Sequence, residues 1–532
     1  MSAEDEGTPS HASSGPPEQK WHAPYNPWVI SSVATIATFM EVLDTTIVIV
    51  ALPHIAGNLG IGQDASTWIV TAYLLCNAVV LPFSPWMSSL FGRRNFYLVC
   101  VVLFTLSSLL CGIASSFGLL VFFRLLQGLA GGGLLPSTQA ILVDTFPAHR
   151  RGMAMAMYSL VVVSAPAIGP TLGGWITENF SWRWIFLINV PVGCLSLLLA
   201  SKFVTDPPYL PRRRGADRFK VDYPGFILIV LGLGGMQLTL SLGERRGWFE
   251  SDAILFLAIG SAIAIIAAIL WELHYRDPLM NLRLLKDRNL ASSLALLTLF
   301  GFPFYGGMIL YPLFLQGLLG YTATWSGLAV SPGGLVMVAM MPIVGWLISR
   351  IDPRHLAVTG LVVLSFAMFK MSQFNLETDL RTIVLTRMLQ SFGISMIFVP
   401  ISTMAYTYVR AEARNSASSL ISLGRNAGAG IGIAFVANSL ERHEQIRQTH
   451  LVQHFTPYDP PYTGALARVQ DWFVGISGDP VGAASQAHRM LYDVLQEQAS
   501  QLAFSDVYRT LSALALCLIP LVFIIRRPAH SP

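Results

Sequence analysis

The chain has 532 residues, of which 53% are hydrophobic and only 12% are charged. Soluble domains carry about 25% charged residues, so this composition, with a mean hydropathy of +0.56, excludes a large soluble enzyme. It predicts an all-α polytopic membrane protein, because helices satisfy their own backbone hydrogen bonds inside a bilayer. The formal net charge of +4 indicates no particular partner, and we expect no nucleic-acid ligand.

The two ends of the chain are polar. Residues 1–27 are rich in Ser, Pro and Glu, which predicts a disordered cytoplasmic tail, and residues 528–532 form a second short tail. No basic segment with a small-residue cleavage pattern precedes the first apolar run. We therefore expect no cleaved signal peptide, with the first span serving as the insertion signal.

Apolar runs of about 20 residues, the length needed to cross a bilayer, recur along the chain. An even number of such spans places both termini on the same side of the membrane. The runs predict fourteen transmembrane helices, at 28–51, 68–90, 96–115, 118–143, 153–175, 183–203, 222–242, 253–273, 291–318, 325–349, 356–374, 380–408, 416–440 and 506–525.

The Lys and Arg residues predict the orientation of these spans. Most of those outside the spans lie in the tails and in the loops on the terminal side, including the long basic stretch Arg212–Lys220. Because cytoplasmic loops are enriched in Lys and Arg, both termini are expected to be cytoplasmic. The expected location is the cytoplasmic (inner) membrane.

The chain repeats itself at an offset of 263 residues. Arg124-Leu-Leu-Gln127 matches Arg387-Met-Leu-Gln390, and Gly169 matches Gly432. The offset predicts two six-helix halves in parallel orientation, 28–203 and 291–527, separated by a linker with two extra helices at 204–290. Parallel halves are one plan of secondary transporters, which bind substrate near the midplane between the halves.

Glu41 and Asp44 lie midway along the first span and share a helix face, being three residues apart. Ionised groups at this depth are costly and favour a functional site. The functional interpretation is a proton site, a site for a cationic substrate group, or both; the alternative is an ion pair that holds helices together. Arg124 in the fourth span is the expected counter-charge. The second half has no matching acid, because the offset from Asp44 leads to Gly307.

The fifth span contains Gly169, Pro170, Gly173 and Gly174 near one end. Proline removes a helical hydrogen bond, and small residues let neighbouring helices approach closely. The cluster therefore predicts a kinked span that packs tightly against another helix.

A second group of residues suggests a cavity for substrate. Aromatic side chains suit flat, lipophilic molecules, although packing against lipid or other helices explains each one equally well. The candidates for the cavity lining are Phe302, Tyr305, Tyr158, Arg425 and Asn426, of which Arg425 and Asn426 are equally well explained as residues of a helix interface.

Two loops have more than a connecting role. Gly92-Arg93-Arg94 is a tight basic turn between the second and third spans, and it orients the chain or latches helices on the cytoplasmic side. The segment 441–505 is expected to be a long external loop, of which 485–503 has apolar residues at helical spacing. Such a segment suits docking of a partner or contact with the membrane surface.

No catalytic or metal-binding motif occurs in the sequence. There is no phosphate-binding Gly-Lys-Ser/Thr loop, so ATP is not expected to drive this chain directly. The five cysteines lie in apolar segments without metal-ligand spacing. We expect a protein that is not an enzyme and has no cofactor or metal.

These motifs together resemble the fourteen-span drug:proton antiporters of the EmrB/QacA type, in the major facilitator superfamily, and are most similar to the EmrB branch. The sequence from Val42 to Pro53, around Asp44, resembles the family's first-helix motif. Arg124-Leu-Leu-Gln127-Gly128 resembles the fourth-helix motif, whose arginine is implicated in proton coupling. The glycines and Pro170 of the fifth span resemble the motif associated with antiport.

One departure concerns the loop between the second and third spans. The superfamily usually has an aspartate three residues before the second glycine of this loop, and here Ser89 precedes Gly92 at that spacing; Pro85 replaces the leading glycine. The sequence therefore does not support a latch built on that aspartate, although Arg93 and Arg94 remain.

The resemblance implies efflux of lipophilic or amphipathic compounds, driven by the proton gradient. From the charges in the spans, we expect Asp44 to carry the coupling proton and Arg124 to modulate it, with Glu41 of the same group shaping the preference for substrate charge. Members of the EmrB branch work with a periplasmic adaptor (a membrane fusion protein) and an outer-membrane channel, which gives the 441–505 segment a docking role. Alternatives are a dedicated exporter of a metabolite, siderophore or lipid precursor on the same fold, and a membrane receptor that has lost transport.

Overall fold

The computed structural model describes residues 24–147, 150–208, 222–243, 246–276 and 278–526, and within these ranges it contains helices and no strands. The all-α fold class is therefore confirmed. Residues 1–23, residues 527–532 and the basic stretch Arg212–Lys220 lie outside the described residues, so the expectations for both tails and this stretch stay predictions.

Thirteen helices in the described ranges are long and apolar enough to cross a membrane, and the bent pair Arg151–Pro166 and Ile168–Asn179, taken as one span, brings the number to the predicted fourteen. We number them α1 to α14. Their bounds are α1 Pro27–Leu52, α2 Trp68–Phe91, α3 Arg93–Gly112, α4 Phe117–Thr145, α5 Arg151–Asn179, α6 Trp184–Phe203, α7 Tyr223–Leu242, α8 Asp252–His274, α9 Arg288–Leu318, α10 Thr324–Leu347, α11 Pro353–Met371, α12 Leu380–Ala405, α13 Ala411–Val452 and α14 Pro480–Ile524.

Polar residues at the helix starts explain several of these boundaries. Asn26 accepts a hydrogen bond from the Trp28 amide at 3.0 Å, and Pro27 occupies the first turn of α1, where it loses no helical bond. Asp287 caps α9 in the same way by accepting from the Leu290 amide at 2.8 Å. Such caps satisfy amide groups that the first helical turn leaves without partners.

The two halves meet mainly along α5 and α10 and where α13 contacts α2 and α4. At one end of the α5–α10 contact, Gly345 packs on Gly152; at the other end, Gly327 packs on Thr171. The absence of side chains at these glycines lets the two backbones approach closely. We call the side on which α1 begins and α14 ends the terminal side.

The fifth span is bent, as its sequence predicts. The axis of α5 turns by 40° between Pro166 and Ile168, directly before Gly169 and Pro170. The part after the bend packs on α1: a Cβ atom on Gly169 would lie 2.1 Å from Thr46 Oγ1. Glycine at this position is therefore required for contact between α5 and the helix that holds Asp44.

The helices α7 and α8, which the 263-residue repeat leaves outside both halves, form a pair. Gly232 and Gly235 of α7 pack on α8, whereas Gly234 faces Leu75 of α2 and Gly430 of α13 faces Leu240 of α7. The helix α7 thus lies along the boundary between α2 of one half and α13 of the other. The helix α8 makes its main contacts with α7 and exposes most of its apolar side chains.

The segment 441–505 differs from the predicted loop because most of it is helical. The helix of α13 continues from Arg414 to Val452, a further helix follows at Pro460–Ser477, and α14 is helical from Pro480. We call Pro460–Ser477 the outer helix; it packs along the first part of α14 to form an outer hairpin. The amphipathic spacing at 485–503 did identify part of the α14 extension.

Substitution of Gly169 tests the contact between α5 and α1. We expect Gly169→Val to lower the midpoint of thermal unfolding in detergent, because overpacking a core costs about 1–3 kcal/mol. Gly260→Val in α8 is the matched control, since nothing lies within 4 Å of a Cβ atom at that glycine. Equal unfolding midpoints for the two variants would contradict the close contact.

Candidate functional site

Asp44 is the centre of a polar site inside the N-terminal half. Its Oδ2 lies 2.5 Å from Arg124 Nη1, and its Oδ1 accepts hydrogen bonds from Gln127 Nε2 at 3.0 Å and Asn189 Nδ2 at 2.9 Å. These partners come from α4 and α6, and all four side chains are buried. The predicted pairing of Arg124 with Asp44 is present, and the buried carboxylate has three donors.

Arg124 is held in place by groups other than Asp44. Its Nε donates to the Ile69 carbonyl at 3.0 Å, and its Nη1 also donates to Gln127 Oε1 at 2.8 Å. The guanidinium carbon lies 4.4 Å from the centroid of the Tyr73 ring, a cation–π distance. Arginine remains charged in proteins, so loss of the charge on Asp44 would leave a positioned cation in the half.

Glu41 faces a different set of residues, although it shares a face of α1 with Asp44. Its Oε1 accepts a hydrogen bond from Asn77 Nδ2 at 3.1 Å, whereas its buried Oε2 has no hydrogen-bond partner. Asn77 Oδ1 in turn accepts from Asn426 Nδ2 of α13 at 3.2 Å. Glu41 is therefore connected through two amides to the other half of the molecule.

Arg425 is a second cation between the halves. Its Nη1 donates to the Tyr158 hydroxyl of α5 at 3.1 Å, and its guanidinium carbon lies 6.0 Å from the centroid of the Phe398 ring. Tyr305 and Glu41 lie within electrostatic range of the same group. No carboxylate among the described residues forms an ion pair with Arg425.

The structure thus brings together most of the predicted cavity residues. Tyr158, Tyr305, Arg425 and Asn426 lie near one another between the halves, close to Glu41. Phe302 has other contacts: its Cα packs against Gly432, and its ring lies 6.0 Å from that of Phe435. These contacts are helix packing between α9 and α13, and a role of Phe302 in the cavity stays a prediction.

A cluster of charges joins the halves on the terminal side. Gly92 has φ 84°, a conformation that favours glycine, and the helix α3 starts directly after it with Arg93. Arg93 pairs with Asp144 at the end of α4, and the other oxygen of Asp144 lies 2.6 Å from Arg414 Nη1 at the start of α13. We call Arg93, Asp144 and Arg414 the terminal-side latch. All three are buried.

The acid in this cluster is not the one that the usual loop motif would supply. Ser89, at the position of the usual aspartate, donates to the Trp86 carbonyl within its own helix. Asp144 supplies the negative charge instead and connects one half to the other. Arg94 does not join this cluster; its backbone amide donates to Asp206 Oδ1 at 2.7 Å and its side chain to the Ser201 carbonyl at 2.5 Å.

Sequence reasoning missed the neutral partners of these charges. Gln127 was part of the fourth-helix motif but had no assigned role, and nothing singled out Asn77, Asn189 or Asp144. Their signal in the sequence is weak but present, since amides and acids are rare inside apolar spans. Within the described residues, no group of three or more His, Cys, Asp or Glu side chains is placed to hold a metal ion.

Comparison with known proteins identifies one family of membrane transporters. The family model of the Major Facilitator Superfamily matches residues 34–433. The fatty acid resistance protein FarB of Neisseria gonorrhoeae is 34% identical over 95% of this chain and 97% of that protein. The multidrug export protein EmrB is 35% identical in Haemophilus influenzae, over 81% of this chain and 84% of that protein. In Escherichia coli K12 it is 30% identical, over 94% and 96%.

Solved structures have the same fold at low sequence identity. The human organic anion transporter MFSD10 (TETRAN) has a TM-score of 0.56 and 15% identity, with 94% of this chain and all of that chain covered (100%). The proton:xylose symporter XylE has a TM-score of 0.57 and 13% identity, with 94% and 96% covered.

Removal of the bond between the halves tests the latch. In a background without the five native cysteines, we expect a cysteine at Ser422 to react faster with a thiol reagent applied from the terminal side when Arg414 is changed to Gln. Loss of one partner of a buried ion pair costs about 3–5 kcal/mol, so the rate should rise roughly tenfold or more.

The control is Asp506→Asn, which breaks a more exposed pair with Arg447 on the opposite side. Equal labelling rates in the parent protein and in Arg414→Gln would show that the latch does not keep the terminal side closed.

Proposed function

Because this chain belongs to the major facilitator superfamily and is a multi-pass membrane protein with multidrug exporters among its relatives, we propose that it exports lipophilic or amphipathic small molecules in exchange for protons. The proton gradient is the energy source, and no cofactor takes part. The observation that carries this proposal is the buried carboxylate of Asp44, held by Arg124 and two amides inside the membrane.

Proton binding at Asp44 changes the balance of forces in this site. A neutral carboxyl group no longer attracts Arg124, and it gives one of its oxygens a proton to donate. The donors on α4 and α6 must then find new partners, which favours a different packing of these helices against α1. A site of this kind couples a proton to a conformational change.

The substrate site is proposed at the group of Tyr158, Tyr305, Arg425 and Asn426 between the halves. Its aromatic rings suit apolar parts of a substrate, and Arg425 and Glu41 offer opposite charges to its polar parts. Glu41 contributes to charge preference because its Oε2 is buried and unpaired.

Rearrangement of the halves uses two features of the fold. The terminal-side latch holds α13 against α3 and α4, so it must open before substrate can leave or enter on that side. The bent helix α5 contacts both α1 and α10, so it transmits changes around Asp44 to the other half. Close packing at Gly169 and Gly173 limits leakage of ions between α5 and α1.

In the cell, we place the protein in the cytoplasmic (inner) membrane with both termini cytoplasmic, because basic residues concentrate in the loops on the terminal side. The outer hairpin then lies in the periplasm. It is proposed to contact a periplasmic adaptor (a membrane fusion protein) that leads to an outer-membrane channel. Exposed Trp472 and Ile476 on the outer helix support a protein partner.

A dedicated exporter of anionic amphiphiles is the second candidate function. Arg425 is a buried cation without a carboxylate partner among the described residues, which suits an acidic headgroup. The relative FarB is named for fatty acid resistance, which agrees with such a substrate. A panel of fatty acids and of neutral and cationic dyes distinguishes the two functions: selective export of the acids favours the second candidate.

Transport in proteoliposomes tests the role of Asp44. With a fluorescent lipophilic dye and an imposed pH gradient, we expect Asp44→Asn to lose gradient-driven transport, because asparagine keeps the shape but cannot exchange a proton. Glu272→Gln is the matched control: Glu272 is a fully buried acid in α8, outside both halves. Asp44→Asn transport equal to that of the parent protein would rule out the proton assignment.

A second experiment tests the periplasmic partner. We expect Trp472→Glu with Ile476→Glu to reduce co-purification of the adaptor from the source organism by roughly tenfold, since removal of an apolar anchor typically costs an interface about 2 kcal/mol or more. Transport in proteoliposomes should be unchanged. The control is Ala467→Glu, which is exposed on the opposite face of the same helix. Undiminished co-purification of the double variant would exclude this docking surface.

A further inference from the structure

The C-terminal half contains a copy of the Asp44 site that lacks its acid. Arg387 and Gln390 lie on α12 at the positions of Arg124 and Gln127 in the repeat, and Tyr508 of α14 lies within electrostatic range of Arg387. All three side chains are buried inside one half. This cluster is separate from Arg425 and from the substrate site proposed above.

The two glutamines are arranged alike. In the N-terminal half, Gln127 Oε1 accepts from Arg124 Nη1, and Gln127 Nε2 donates to Asp44. In the C-terminal half, Gln390 Oε1 likewise accepts from Arg387 Nη1, but Gln390 Nε2 has no hydrogen-bond partner. The NH₂ group of Gln390 is therefore free to donate to a negatively charged acceptor, as the NH₂ group of Gln127 does.

Gly307 occupies the position of that acceptor. It lies 263 residues after Asp44, and a Cβ atom on it would lie 2.8 Å from Gln390 Nε2 and 2.9 Å from Met368 Cε. The second half thus has these donors next to residue 307 but no carboxylate at that position. The nearest atoms end flexible side chains, so a small group can be accommodated there by changes of rotamer.

Three donor atoms of this cluster have no hydrogen-bond partner. Arg387 Nε, Gln390 Nε2 and the Tyr508 hydroxyl are all buried without a hydrogen-bond partner. The Tyr311 ring lies 5.4 Å from the Arg387 guanidinium carbon, and the Tyr311 hydroxyl donates to the Ile383 carbonyl. No carboxylate among the described residues pairs with Arg387. A charged group that stays protonated is then buried without a counter-charge, which is unfavourable.

We propose that this cluster binds a small monovalent anion of the size and charge of chloride, with Arg387, Gln390 and Tyr508 as its donors. The anion takes the place that a carboxylate on residue 307 would have and neutralises Arg387. Enclosure within one half excludes an amphipathic substrate. In contrast to a carboxyl group, the bound anion does not exchange a proton, so the charge of the C-terminal cluster stays fixed.

Thermal unfolding of the purified protein tests the site. Titration with sodium chloride in a constant background of sodium gluconate should raise the unfolding midpoint in a saturable way, because a ligand that binds only the folded state stabilises it. Bromide should act similarly. Arg387→Gln should remove the chloride-dependent shift, and Tyr508→Phe should move the titration to higher chloride concentration.

Two reciprocal variants separate a specific site from a general salt effect. Gly307→Asp supplies the missing carboxylate, so its unfolding midpoint should no longer depend on chloride. Asp44→Gly creates the same vacancy in the N-terminal half, so it should add a second saturable chloride effect even though proton coupling is lost.

The proposal is overturned if the parent protein shows no saturable halide effect, or if the effect persists unchanged in Gly307→Asp or Arg387→Gln. Absence of a second chloride effect in Asp44→Gly would also count against it, because the same donor set would then fail to bind an anion. None of these outcomes depends on whether the chain exports drugs.

Discussion

The ion pair between Asp44 and Arg124 is the interaction on which the N-terminal half depends. A charged residue at the centre of a bilayer costs about 2.5–3.5 kcal/mol on insertion scales, and here two opposite charges and three amide or carbonyl partners offset that cost together. The pair and its partners come from α1, α2, α4 and α6. Any change of charge at Asp44 therefore alters the interactions of four helices at once. A hydrophobic core of the same size has no group whose charge could change in this way.

The two halves have the same topology but different electrostatics. The N-terminal half holds both buried acids of the first span, while the C-terminal half contributes the unpaired cations Arg387 and Arg425. The latch repeats this pattern, because Asp144 of the first half attracts Arg414 of the second. Opposite excess charge on the two halves favours their association wherever they face each other in a region of low dielectric.

The sequence indicated the spans, the parallel halves, the bend in α5 and the charges in the first and fourth spans, because each leaves a strong pattern in hydropathy or charge. It did not indicate Asn77, Asn189 or Asp144, since the choice of partner is decided by helix packing that a one-dimensional pattern does not contain. The segment 441–505 was assigned as a loop because hydropathy falls there. Hydropathy distinguishes membrane from water, however, and a long helix in water has the same low values as a loop.

The outer hairpin has a mechanical consequence. The helix that begins at Pro480 runs without a break to Cys517, and the part before residue 505 alone extends about 37 Å at 1.5 Å per residue. Since α13 and α14 both belong to the C-terminal half, the hairpin is a rigid arm fixed to that half. A tilt of the half by a few degrees would sweep the tip of the arm through several ångströms. Each transport cycle would thereby displace the tip of the outer hairpin, at a distance from the lipid.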